Sequence, residues 1–126
     1  MERVDHVASV SETLRAEVKR YQDLVERLRL IAINRQQLQA QLAEVDEALK
    51  ELSTVDDSHP VYKIVGSIIV LKSKSSVVNE LNNLKETIEI RIKTLEKQED
   101  LLKKQLEELE KKLARKLGGE AQAGAG

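Results

Sequence analysis

The sequence predicts a mainly α fold: a long antiparallel two-helix coiled coil with one β-hairpin between the helices, the hairpin contributing to an oligomeric β-barrel. Three observations carry this. Apolar residues recur at heptad spacing over two long segments. A Val/Ile-rich stretch with Gly66-Ser67 at its centre separates those segments. The 126 residues include two Tyr, no Phe and no Trp against 34% charged residues, a composition of helix surface rather than of a compact core.

In the first segment the apolar positions are Val7, Val10, Leu14, Tyr21, Leu24, Leu28, Ile31, Leu38, Leu42, Val45, Leu49 and Leu52. Steps of three and four place them on one helix face, interrupted by Glu17 and Arg35, and a helix of this span is roughly 70 Å long. Ser9 followed by Glu12 has capping-box spacing and offers a start, although a helix can begin earlier.

The second segment repeats the pattern with Leu81, Ile88, Leu95, Leu102 and Leu109 in one row and Val78, Ile92, Leu106 and Leu113 in its companion. Lys85 and Glu99 interrupt the companion row; such polar seam residues fix register and partner at some cost in stability. Glu89, Glu99, Glu107 and Glu108 each precede a Lys by four residues, the favourable order for solvated pairs on an outer face. Ser73, Ser75 and Ser76 offer helix starts. Gly118 and Gly119 are expected to end the helix, with Lys111, Lys112, Arg115 and Lys116 suiting the negative end of its dipole.

Between the helices, STVDDSHP reads as a polar turn, and VYKIV and IIVLK as two strands joined by Gly66-Ser67. The strands carry Val61, Tyr62, Ile64, Val65, Ile68, Ile69, Val70 and Leu71, apolar on both faces. Two helices cannot cover both, and unpaired apolar strands seek other chains, so the hairpin predicts an obligate oligomer built through a shared sheet or barrel. The expected organisation is one domain over 1–126: a helix over 1–53, linker and hairpin over 54–75, a second helix over 76–117 and a disordered tail over 118–126. Helices of similar length with a short connection pack antiparallel, which makes an arm of roughly 60 to 70 Å with the sheet at one end and both chain ends at the other.

Enzymatic chemistry finds no support in this pattern. There is no Cys, and neither His6 nor His59 has a partner at metal-ligand spacing, so no metal or cofactor is expected. Asp56-Asp57-Ser58-His59 contains catalytic residue types, but adjacency is not triad geometry and a turn before Pro60 accounts for them. Gly66 stands apart from the glycines of the tail, so no phosphate-binding loop is formed. A net charge of -1 supplies no field for nucleic acid or a membrane surface, and the longest apolar run, Ile68 to Leu71, is far short of a span. The opening MERVDHVASVSETLRAEVKR lacks the apolar centre of a secretory signal, and a cytoplasmic location is expected.

The free end is the remaining candidate site. Val4, Val7 and Val10 meet Leu106, Leu109, Leu113 and Leu117 there; Val4 and Leu117 lie outside the seam rows, and terminal turns fray, exposing apolar surface intermittently.

The stretch His59-Pro60-Val61-Tyr62-Lys63-Ile64-Val65-Gly66 and the helix from Glu89 to Leu113, containing Thr94-Leu95-Glu96-Lys97-Gln98-Glu99, resemble the prefoldin subunits, specifically the archaeal β class. A single hairpin also suits that class, since α-class subunits have two. The resemblance implies a heterohexamer of two α and four β subunits with a double β-barrel base and six projecting arms. It further implies an ATP-independent chaperone that holds non-native client proteins between arm tips and passes them to a group II chaperonin in the cytosol. Mapped onto this chain, the client-contacting positions are Val4, Val7, Val10, Leu109, Leu113 and Leu117. The Ala/Gly-rich tail departs from the usual family ends. The competing reading is a structural coiled-coil scaffold or stalk subunit that binds no client.

Overall fold

The computed structural model describes the backbone of residues 2–125 and the side chains of residues 11–118. Helix α1 spans Glu2–Ser53, strand β1 Val61–Val65, strand β2 Ile68–Lys72 and helix α2 Lys74–Ala125. The strands pair antiparallel, with Val65 opposite Ile68 and Val61 opposite Lys72. The chain divides into two compact units: residues 34–95, which hold the hairpin, and residues 1–33 with 96–126, which hold the two chain ends.

The heptad pattern dictates what is buried in each unit. Every seam position from Leu14 to Leu52 and from Val78 to Leu113 is buried or half-buried, the polar interruptions included. In the hairpin-bearing unit the core is Val45, Ile88 and Ile92, with Leu38, Leu42, Leu49 and Leu81 packed against it. In the other unit Leu102, Leu106 and Leu109 are buried. Each aliphatic side chain fully removed from water in this way contributes about 1.5–3 kcal/mol, and two facing stripes of them hold the helices together without aromatic residues. Glu99 is buried as well, which follows from its place in the seam row and removes it from the outer face on which its spacing to Lys103 had placed it.

The connections are built by local chemistry. The Ser53 and Thr54 hydroxyls donate to the carbonyls of Lys50 and Glu51 (2.6 and 2.7 Å), satisfying acceptors that the end of α1 leaves open. Asp56 makes the turn expected before Pro60: its Oδ1 accepts from Ser58 N at 3.2 Å and its carbonyl from His59 N at 2.9 Å. That arrangement commits Asp56, Ser58 and His59 to backbone architecture rather than to a catalytic set. The Ser58 bonds hold the Asp56 carboxyl below its ordinary range. Ser73 caps α2, its Oγ accepting from Ser76 N at 3.2 Å. Gly66 has φ +60°, and no other described residue has positive φ. Positive φ at the first loop residue alone, in a two-residue loop, is the II′ turn, whose twist matches that of the flanking strands.

Two helix ends differ from the sequence expectation. Helix α2 begins at Lys74, two residues before the expected 76, while α1 begins at Glu2, in line with the expected helix over 1–53, with Ser9 inside it. Helix α2 runs through Gly118 and Gly119 to Ala125 instead of stopping at 117. A helical Gly costs only about 1 kcal/mol relative to Ala, and the following Glu, Ala and Gln residues are good helix formers. A glycine commonly ends a helix by taking the left-handed C-cap conformation, which Gly118 does not adopt. Lys111, Lys112, Arg115 and Lys116 therefore lie before the last turn of α2, away from its dipole end, and Lys112 and Lys116 make the contacts described next.

Candidate functional site

The hairpin separates its residues by alternation. Val61, Lys63 and Val65 share one face with Ile68, Val70 and Lys72, while Tyr62 and Ile64 share the other with Ile69 and Leu71. Both faces carry the apolar residues read from the sequence, but only the second is wholly apolar. On the first, Lys63 Nζ lies 2.8 Å from Glu80 Oε2, and Lys72 binds the other oxygen of the same carboxylate. Hydrogen bonding to Lys63 first, then to Lys72, pulls the Glu80 carboxyl down to about 2. One side chain of α2 thus takes a cation from each strand and fixes which face turns toward the helix. Sequence reading missed this clamp because its three residues come from three different elements.

The opposite face is left wholly to solvent, and the first also keeps Val65 and Ile68 more than half exposed. Ile64 is 75% exposed and Ile69, its direct partner across the ladder, 67%, with Tyr62 and Leu71 also exposed. A two-stranded sheet also has both outer edges unpaired. Such a surface is chemically suited to receive strands and apolar side chains of other chains. At the start of α2, Lys74 Nζ donates to Val55 O (2.7 Å) and to Asp57 Oδ1 (2.9 Å), securing the linker beside the hairpin. Lys74 also lowers the Asp57 carboxyl.

In the unit that holds the chain ends, the sequence-predicted tip residues fare differently. Leu109 is buried in the seam at 8% exposure, Leu113 is half-buried, and Leu117 stands outside the seam at 54%. Val4, Val7 and Val10 have side chains outside the described residues. Glu17, the seam interruption on α1, is met from α2 by Lys116 (2.7 Å to Oε1) and more loosely by Lys112 (3.5 Å). Those bonds, Lys116 foremost, keep the carboxyl below its ordinary range against the opposing effect of burial. Next along the seam, the Tyr21 hydroxyl donates to Glu110 Oε1 at 2.9 Å, which raises the phenol's pKa. The polar residues interrupting the seam in the other unit reach outward: Lys85 pairs with Asp46 at 2.8 Å, raising the ammonium pKa, and Arg35 donates to Gln39. No group of His, Cys, Asp and Glu among the described residues has the geometry of a metal site. No described helix is long and apolar enough to cross a membrane.

The family model of prefoldin subunits matches residues 15–120, which takes in the hairpin, most of α2 and α1 from residue 15 onward. The chain belongs to the prefoldin family. Prefoldin subunit beta of Archaeoglobus fulgidus is 43% identical over 104 residues, covering 82% of this chain and 90% of that one. That of Pyrobaculum arsenaticum is 34% identical over 95% of this chain and all of its own. The crystal structure of the prefoldin beta subunit from Thermococcus strain KS-1 matches with a TM-score of 0.78 and 33% identity, over 83% of this chain and 92% of that one. Two packed helices with an antiparallel hairpin between them are the prefoldin beta fold, as the sequence resemblance implied. As a beta-type prefoldin subunit the chain is a chaperone component and not an enzyme.

Proposed function

We propose that this chain is one of four beta subunits which, with two alpha subunits, form a hexamer that captures non-native proteins without ATP and delivers them to a group II chaperonin in the cytosol. The observation that carries the assembly half is the uncovered apolar hairpin face around Ile64 and Ile69, in a chain that belongs to a family of subunits. Val61, Tyr62, Val65, Ile68, Val70 and Leu71 would complete the contact, forming a barrel base with neighbouring chains.

Client holding is assigned to the ends of the helices, at Val4, Val7, Val10, Leu109, Leu113 and Leu117. The exposure of Leu117 supports this placement. Each end offers a small, non-directional apolar contact, with no Phe or Trp to strengthen it. Several ends around one cavity raise the effective concentration of such contacts, so affinity comes from number rather than from a client sequence, and weak single contacts permit release.

The test is light scattering from a chemically unfolded client diluted into buffer with the assembled complex and no nucleotide, comparing wild type with the Val7→Ser, Leu113→Ser double variant. Suppression by wild type, lost in a variant whose assembly mass is intact, is the expected result. No suppression by an intact wild-type assembly would favour the scaffold reading.

A further inference from the structure

Glu17 interrupts the apolar seam of its unit near the chain ends. Its side chain is only 13% exposed, its Oε1 takes both lysine contacts, and its Oε2 is buried with no hydrogen-bond partner. A buried carboxylate that is half satisfied contributes less to holding two helices together than an apolar residue of similar size. Adjacent seam positions are different in kind: Leu109, Leu106 and Leu102 are buried hydrocarbon, and the Tyr21–Glu110 hydrogen bond ties the two helices there.

We propose that the Glu17 layer is the point at which the helix ends separate, baring Leu113 and Leu117 to the apolar segment of a non-native chain. This deepens the client-holding reading above and rests on it. Lys112 and Lys116 flank Leu113 on α2 and reach across to Glu17, while Leu14, the seam residue of α1 beyond Glu17, is only half-buried. Opening returns the carboxylate and both ammonium groups to water, where each is well solvated, and leaves no orphaned charge behind. Among the described residues beyond this layer no apolar side chain is fully buried, Leu14 and Leu113 being half-buried, as in a locally opening segment with few buried apolar contacts. On the other side of this layer, opening has to strip Leu109 and Tyr21 from their packing, and it stops there.

The experiment uses the full chain in its assembled complex. Glu17→Leu replaces the orphaned carboxylate with hydrocarbon and is expected to slow amide hydrogen exchange around residues 11–18 and 111–118 by about tenfold or more, while reducing suppression of client aggregation. Lys116→Met is expected to speed the same exchange. Leu113→Ser is expected to abolish most suppression at unchanged assembly mass, whereas Leu102→Ser, in the buried seam, lowers the melting temperature and leaves suppression near wild type. Unchanged exchange in Glu17→Leu would overturn the separation point, and so would slowed exchange with full suppression. If the wild-type complex suppresses nothing, the client reading itself fails, and the exchange rates of Glu17→Leu and Lys116→Met still decide whether the helices part at Glu17.

Discussion

Lys63 Nζ of β1 lies 2.8 Å from Glu80 Oε2 of α2, a bond between residues 17 apart in sequence that ties a strand to the helix following it. Lys72 of β2 takes the other oxygen, so the hairpin is held by both of its strands.

That clamp gives the hairpin a pH dependence. The Glu80 carboxyl is depressed from its ordinary 4.5 to about 2, so its contribution is fully present above about pH 4.5 and is lost as pH falls toward 2. The carboxylate is part-exposed, so solvent and salt weaken the effect. Glu80→Gln is expected to flatten the melting temperature across that window relative to wild type. Identical pH profiles for the two proteins would show that the clamp contributes nothing.

Assembly is expected to fail when charge is placed on the uncovered hairpin face. Ile64→Lys with Ile69→Lys puts two like charges directly opposite each other on the surface assigned to neighbouring chains. Both side chains are exposed in the single chain, so helix content by circular dichroism is expected to hold while native mass falls. An unchanged mass would remove the hairpin from the interface.

Helix α2 offers a paired control for the seam. Ile88 is 2% exposed and Ile90 59%, two residues apart on one helix. Ile88→Ala is expected to destabilise by about 2–5 kcal/mol, since neighbours cannot fully collapse onto the lost volume. Ile90→Ala is expected to stay within about 0.5 kcal/mol. Denaturant unfolding of the two variants measures the difference, and equal effects would contradict the seam.

Gly66 is required by its backbone and not by space. No atom lies within 4 Å of the position a Cβ would take, yet φ is +60°. Gly66→Val is expected to cost about 1–2 kcal/mol or more through strain at the turn, against little effect from Ser67→Ala. The readout is the assembly midpoint in denaturant, because the strands that the turn aligns are those assigned to assembly.

Much of this architecture was legible because its causes are local or periodic. A spacing of three and four residues makes an apolar stripe on any helix, so the seam from Leu14 to Leu52 and from Val78 to Leu113 could be read from the chain alone. The Gly66-Ser67 turn and the Asp56 turn follow from backbone preferences of single residues. Helix ends were less legible, since Gly118 can either end a helix or be carried through it at small cost.

What the sequence by itself determined is the order of elements, the seam and the apolar hairpin, because each depends on neighbours within a turn or two. Only the tertiary structure decided which charges meet. Glu17 finds Lys116 across 99 residues, Glu80 finds a lysine from each strand, Lys85 finds Asp46, and Leu109 is buried while Leu117 is not. Lys116 was equally suited to a helix dipole or to a partner on the other helix; its choice follows from the register in which the two helices pack, which no local window of sequence contains.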